Sequence, residues 1–152
     1  MKRLMLFLLF FAVFSCEKFP ENPVYGRVFL KLDLLYRDKA LRGIGGYRTY
    51  LYSNPGIDYN PQQNESLGLG GLLVIHTTMD TYSAFDLACP NESTPNRNVI
   101  VEVVDGGMNA HCPKCGTTYQ IIDGTGIAIK GKKFGLKIYN VVVNGNTGVV
   151  TN

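Results

Sequence analysis

Apolar and polar positions alternate with a period of two in several short stretches. Val28, Leu30, Leu32 and Leu34 alternate with Phe29, Lys31, Asp33 and Leu35, which predicts a strand. A glycine-rich break over Arg42 to Gly46 follows, and Tyr47, Tyr50 and Tyr52 suggest a strand at a sheet edge. Asn60 to Gly71 is polar and then glycine-rich, the composition of a loop. Leu72-Leu73-Val74-Ile75-His76 is an apolar strand, with His76 expected to be an ordinary packed or surface histidine. Thr77 to Asp80 can turn, and Thr81 to Leu87 returns with Tyr82, Ala84 and Asp86 on one face and Phe85 and Leu87 on the other. This predicts a hairpin that delivers the chain to Cys89.

Val99 to Val104 reads as a strand, Asp105-Gly106-Gly107 as a turn, and Met108 to His111 as a short strand. Tyr119 to Ile122, Ile127 to Ile129, Leu136 to Val143 and Val149 to Thr151 are further strands, with turns at Asp123-Gly124 and Asn144-Gly145. No stretch outside the N-terminal segment shows an amphipathic helix of ten residues. The expected fold is all-β, a sandwich or small barrel of many short strands. At 152 residues the chain suits one domain.

Composition agrees with a sheet protein: 17 glycines, 9 tyrosines, 8 phenylalanines and no tryptophan. The formal charge of +3 includes Lys2 and Arg3, so the rest is nearly neutral and argues against a nucleic-acid partner. Lys2-Arg3 precede an unbroken apolar run from Leu4 to Phe14, too short for the roughly 20 residues that span a bilayer. It fits the core of a signal peptide. The run ends Val13-Phe14-Ser15-Cys16, which resembles the lipobox of bacterial lipoproteins. That resemblance implies a signal peptide over residues 1–15, a lipid on Cys16, and a protein anchored to a membrane at the periplasm or cell surface. Residues 16–27, with Pro20 and Pro23, then form a tether, and residues 28–152 form the domain.

The chain's 4 cysteines are Cys16, Cys89, Cys112 and Cys115. Cys112-Pro113-Lys114-Cys115-Gly116 has the form of a metal knuckle, in which Pro and Gly bend the backbone so that amides point at thiolates. Cys89 offers a third sulfur from a second loop. Lys130-Gly131-Lys132-Lys133 reads as a solvated basic turn, and Asn91-Glu92-Ser93 as a chance match to a glycosylation acceptor.

The two cysteine loops, with a hairpin before the first and sheet after the second, resemble the Rieske domain from about Gly70 to Val143. Cys89-Pro90-Asn91 stands where the first ligand loop would, and Cys112-Pro113-Lys114-Cys115-Gly116-Thr117-Thr118-Tyr119 where the second would. The resemblance implies a [2Fe–2S] cluster, one-electron transfer to a redox partner, and no enzymatic activity of its own. It implies Cys89 and Cys112 as ligands, with Thr117 and Tyr119 donating hydrogen bonds to sulfur. Both of the family's histidines are replaced, one by Asn91 and one by Cys115. Cys115 is therefore a ligand by position alone, with Asn91 and His111 as weak candidates for the fourth place. His111 is expected to face away, because strand neighbours point to opposite sides.

Three readings stay open. One is a [2Fe–2S] cluster with three thiolates and an unusual fourth ligand. Another is one zinc ion on the three cysteines and a fourth group. The third is a metal-free site with a disulfide. In the last two the chain would be a structural or binding lipoprotein.

Overall fold

The computed structural model describes residues 22, 24, 26–52, 64–94, 98–132 and 134–152. The expected leader, Cys16 and most of the tether lie outside them. The described chain is all-β apart from two short 3₁₀ turns, Lys39–Arg42 and Asp105–Gly107. No helix among the described residues is long and apolar enough to cross a membrane.

Seven strands form one strongly curved sheet: β1 (Val28–Asp33), β2 (Tyr47–Tyr50), β3 (Ser66–Leu67), β4 (Leu72–Thr78), β5 (Thr81–Asp86), β10 (Ile138–Asn144) and β11 (Thr147–Thr151). Their order across the sheet is β2-β4-β5-β10-β11-β1-β3. The sheet is nearly closed into a barrel. Its two edges, β2 and β3, are spanned by a side chain: the Leu67 amide donates to the Tyr52 hydroxyl at 2.7 Å. A second sheet is a meander of β6 (Glu102–Val104), β7 (Asn109–His111), β8 (Thr118–Gln120) and β9 (Ala128–Lys130), in that order.

The alternation in β1 holds as expected. Val28, Leu30 and Leu32 point into the barrel with Leu67, Tyr50 and Val150. The central pair β4–β5 is covered on both faces, which is why β4 reads as a continuous apolar run. Leu72, Val74 and Ala84 fill the barrel, while Leu73, Ile75, Phe85 and Leu87 pack against Ala110, Tyr119 and Ile121 of the small sheet. Each such side chain contributes about 1.5–3 kcal/mol when fully buried. One ribbon thus belongs to two cores, and the first cysteine loop hangs from its end.

Three features differ from the sequence reading. The stretch expected as one strand from Val99 to Val104 splits between partners. Ile100 bridges Ala88 and the Val101 amide bonds Leu87, whereas only Glu102–Val104 pair with β7. The segment expected as loop up to Gly71 contributes β3, two residues that pair with Val28 and Phe29. The strand expected from Leu136 to Val143 runs instead from Ile138 to Asn144 as β10, and its inward residue is Tyr139, which is buried, while Ile138 is 47% exposed.

The end of the expected tether packs on the domain. Val24 is buried, and the Asn22 amide donates to the Gly135 carbonyl at 2.7 Å.

Asp86, at the end of β5, fixes the junction of the two cores. Its carboxylate is fully buried and accepts from the amides of Leu69 (2.8 Å), Gly70 (2.9 Å) and Ala88 (2.8 Å) and from the Tyr139 hydroxyl (2.8 Å). Four donors offset the desolvation of the charge, and burial beside Asp86 pushes the Tyr139 phenol well up. Removing the carboxylate strands all four donors. Asp86→Ala is expected to cost about 3 kcal/mol or more, and Tyr139→Phe about 1–2 kcal/mol, in urea unfolding. Equal and small losses for both would show that the carboxylate is not the anchor.

Candidate metal centre

Cys89 follows β5 after Leu87 and Ala88. Its amide bonds the Val99 carbonyl at 2.7 Å, and its carbonyl accepts from Glu92 (3.2 Å) and Ser93 (2.9 Å), so the chain turns sharply after it. The Val99 amide also donates to the Ser93 hydroxyl at 3.0 Å, which pins the far side of this first loop.

The second loop joins β7 to β8. The Cys112 amide bonds the Thr117 carbonyl (2.9 Å) and the Gly116 amide bonds the Cys112 carbonyl (3.0 Å). Gly116 completes this turn at φ 71, a conformation that side-chain-bearing residues rarely adopt.

The two loops bring three sulfurs together. Ligand atoms of Cys89, Cys112 and Cys115 all lie within 4.8 Å of one another, and Cys89 Sγ is 3.7 Å from Cys115 Sγ. All three are free thiols. Cys89 and Cys112 are completely buried, and Cys115 is partly exposed. The backbone amides of Asn91 and Thr117 point at the sulfurs of Cys89 and Cys115, the second as the knuckle reading anticipates.

Burial pushes the Cys89 thiol up to about 12, against the Tyr119 hydroxyl and the Asn91 amide, which favour the thiolate. At Cys115 burial also opposes ionisation, but hydrogen bonds from Thr117 and the neighbouring cysteines outweigh it and lower the thiol. A bound cation would deprotonate these groups outright.

The polar groups around the sulfurs take up defined places. Tyr119 Oη is 3.3 Å from Cys89 Sγ, and Thr117 Oγ1 is 3.1 Å from Cys115 Sγ. Asn91 does not turn its side-chain amide to the sulfurs. Its Nδ2 donates to the Tyr119 hydroxyl (2.9 Å) and to the Phe134 carbonyl (3.2 Å), and its Oδ1 accepts from the Phe134 amide (3.3 Å). Asn91 so pairs with Phe134 much as a strand backbone would, and laces the first loop to a third loop before β10. His111 lies in β7 as expected and is not among the converging groups. Its Nδ1 is 3.3 Å from the Thr118 hydroxyl, across the β7–β8 pair.

The third loop runs from β9 towards Phe134. Gly131, at φ 101, passes so close to Thr117 that a Cβ would stand 2.7 Å from its Cα. This approach lets the Lys132 amide donate to Thr117 Oγ1 at 3.0 Å. At the rim, Glu92 of the first loop binds Lys114 of the second (2.5 Å) and Lys132 of the third (2.8 Å). Glu92, Lys114 and Lys132 escaped the sequence reading. Each was visible only as an ordinary surface charge, and their convergence depends on the loop paths. His76, by contrast, is packed as expected, stacked on Tyr82 with ring centroids 4.2 Å apart.

Comparison of the chain with protein-family models finds no match, and comparison with curated proteins finds none either.

The two lysines draw the Glu92 carboxyl from its ordinary 4.5 down to about 2. A depressed acid stabilises the fold only where it is ionised in the folded state. The ionic clamp is therefore present above pH about 4.5 and fades as pH falls through about 2. The pairs lie at the surface and are screened by salt. Glu92→Gln is expected to be less stable than the parent chain at neutral pH and low salt, with the gap closing near pH 2 or in 1 M salt. Thermal unfolding of both proteins across pH checks this, and a gap independent of both pH and salt would contradict it.

Proposed function

We propose that Cys89, Cys112 and Cys115 hold one thiolate-bound zinc ion, and that the chain is a metal-stapled, Rieske-like binding module carried on a membrane by a lipid on Cys16. The observation that carries this reading is the spacing of the sulfurs. Thiolates about 2.3 Å from a tetrahedral zinc stand about 3.8 Å apart, and Cys89 Sγ and Cys115 Sγ are 3.7 Å apart. The whole trio fits within 4.8 Å.

A two-iron cluster fits this donor set poorly. It takes its ligands in pairs, one pair on each iron. A third thiolate would have to sit across the Fe₂S₂ rhomb, well beyond the 4.8 Å that bounds these sulfurs. Its second iron would also lack a fourth donor among the described residues, because no histidine joins the three sulfurs and the Asn91 side chain is engaged with Phe134 and Tyr119. Electron transfer through a [2Fe–2S] cluster is accordingly the second reading. What favours it is the pair of hydroxyls, Thr117 and Tyr119, set against two of the sulfurs.

Zinc on these loops would tie the end of the β4–β5 ribbon to the small sheet, and its binding energy would add to folding energy. The residues' own part is to present three thiolates on rigid turns, steady them with amides, and lace the three loops together through Asn91 and Glu92. Lipid anchoring would set this module on a membrane surface, with the tether's last residues already seated on the domain at Gly135.

Protein purified without air is expected to carry one zinc per chain, to have no visible absorption, and to contain no acid-labile sulfide. Stoichiometric iron with sulfide would overturn the zinc reading and restore the cluster. A chelator strong enough to remove the metal should lower the unfolding temperature. Asn91→Ala should weaken zinc binding 10–100-fold, as loss of an outer support does at other metal sites, measured by competition with a chromophoric chelator.

A further inference from the structure

We infer that a metal held by Cys89, Cys112 and Cys115 keeps its fourth coordination position open to an exogenous thiolate. The inference rests on the single-ion reading above and deepens it.

A tetrahedral ion needs four donors, and sites that keep a non-protein donor in the fourth place are exchangeable rather than closed. Among the described residues, no histidine, aspartate or glutamate joins the three cysteines within the 4.8 Å cluster. The remaining neighbours are committed elsewhere. His111 is set against Thr118, the Asn91 amide is spent on Phe134 and Tyr119, and Thr117 Oγ1 accepts from Lys132. Tyr119 takes the Asn91 hydrogen and faces Cys89.

The cluster is also accessible from one side. Cys89 and Cys112 are fully buried, but Cys115 is partly exposed. Beside it Gly116 has open space, with nothing within 4 Å of where a Cβ would stand. A fourth donor therefore arrives over Cys115, at a rim where two lysines, Lys114 and Lys132, face one carboxylate, Glu92, and the net positive charge draws anions. An ion already bound by three thiolates accepts soft donors, and a thiolate is the soft anion that fits both the metal and the rim. The exchange forms one metal–sulfur bond, breaks one metal–water bond and releases the thiol proton to solvent. No electron moves.

Cobalt(II) in place of zinc makes the site visible. The cobalt-loaded protein is titrated with 2-mercaptoethanol in one arm and with a capped Gly-Cys-Gly peptide in the other. Protein-bound cobalt is measured afterwards by gel filtration. The expected result is a rise of about one third in sulfur-to-cobalt charge-transfer intensity, as three thiolates become four, with cobalt retained. His111→Ala should give the same starting spectrum and the same response. A stronger response to the peptide assigns the donor to a protein partner, and an equal response to a free thiol; both support the open position. An unchanged spectrum with cobalt retained, stripping of the cobalt by thiol, or an altered starting spectrum in His111→Ala would overturn the inference while leaving the single-ion site standing. Failure to bind either cobalt or zinc would overturn both.

Discussion

The buried carboxylate of Asp86 is the point from which the rest of the molecule is set. It stands at the end of β5, where the barrel core gives way to the core under the small sheet. A charge taken out of water here is tolerable only because three amides and a phenol converge on it. Satisfying it fixes the backbone at Leu69-Gly70 on one side and at Ala88 on the other. Cys89 is the next residue, so the first sulfur takes its position from the same constraint.

The second and third loops are placed by different means. The Cys112 loop is an ordinary hairpin connection between β7 and β8, closed on itself by backbone bonds and a left-handed glycine. The third loop is brought in by close approach, Gly131 against Thr117 and Phe134 against Asn91. Partly buried hydrogen bonds do the positioning, and the Glu92 clamp adds a charge-dependent contact at the rim. The result is a rigid frame for three sulfurs, in a chain whose two cores share a single ribbon.

Much of the fold was legible in the sequence because the alternation reports burial directly. β1 alternates since one face is wet, and β4 does not since both faces are covered. The faces of β5 were also readable: Ala84 goes to the barrel, and Phe85 and Leu87 to the small sheet. β3 was hidden because two residues carry no period, and the split of Val99–Val104 because strand partners are a tertiary choice. Tyr139 turns inward over the more apolar Ile138 because its hydroxyl has a buried partner in Asp86, a gain that hydropathy does not register.

At the site, the three cysteines could be named from their spacing and from the Rieske resemblance. The role of Asn91 could not. An amide at a family ligand position invites reading as a weak ligand, whereas here it works as a backbone mimic that holds two loops together. The two loops that carry the cysteines do bring the three sulfurs together. How close the sulfurs stand is a tertiary property that no sequence prints. X-ray absorption at the metal edge of the protein as purified tests this most directly. The account predicts a zinc edge with about three sulfurs at about 2.3 Å, one lighter donor and no neighbouring metal. An iron edge with a short iron–iron vector would contradict it.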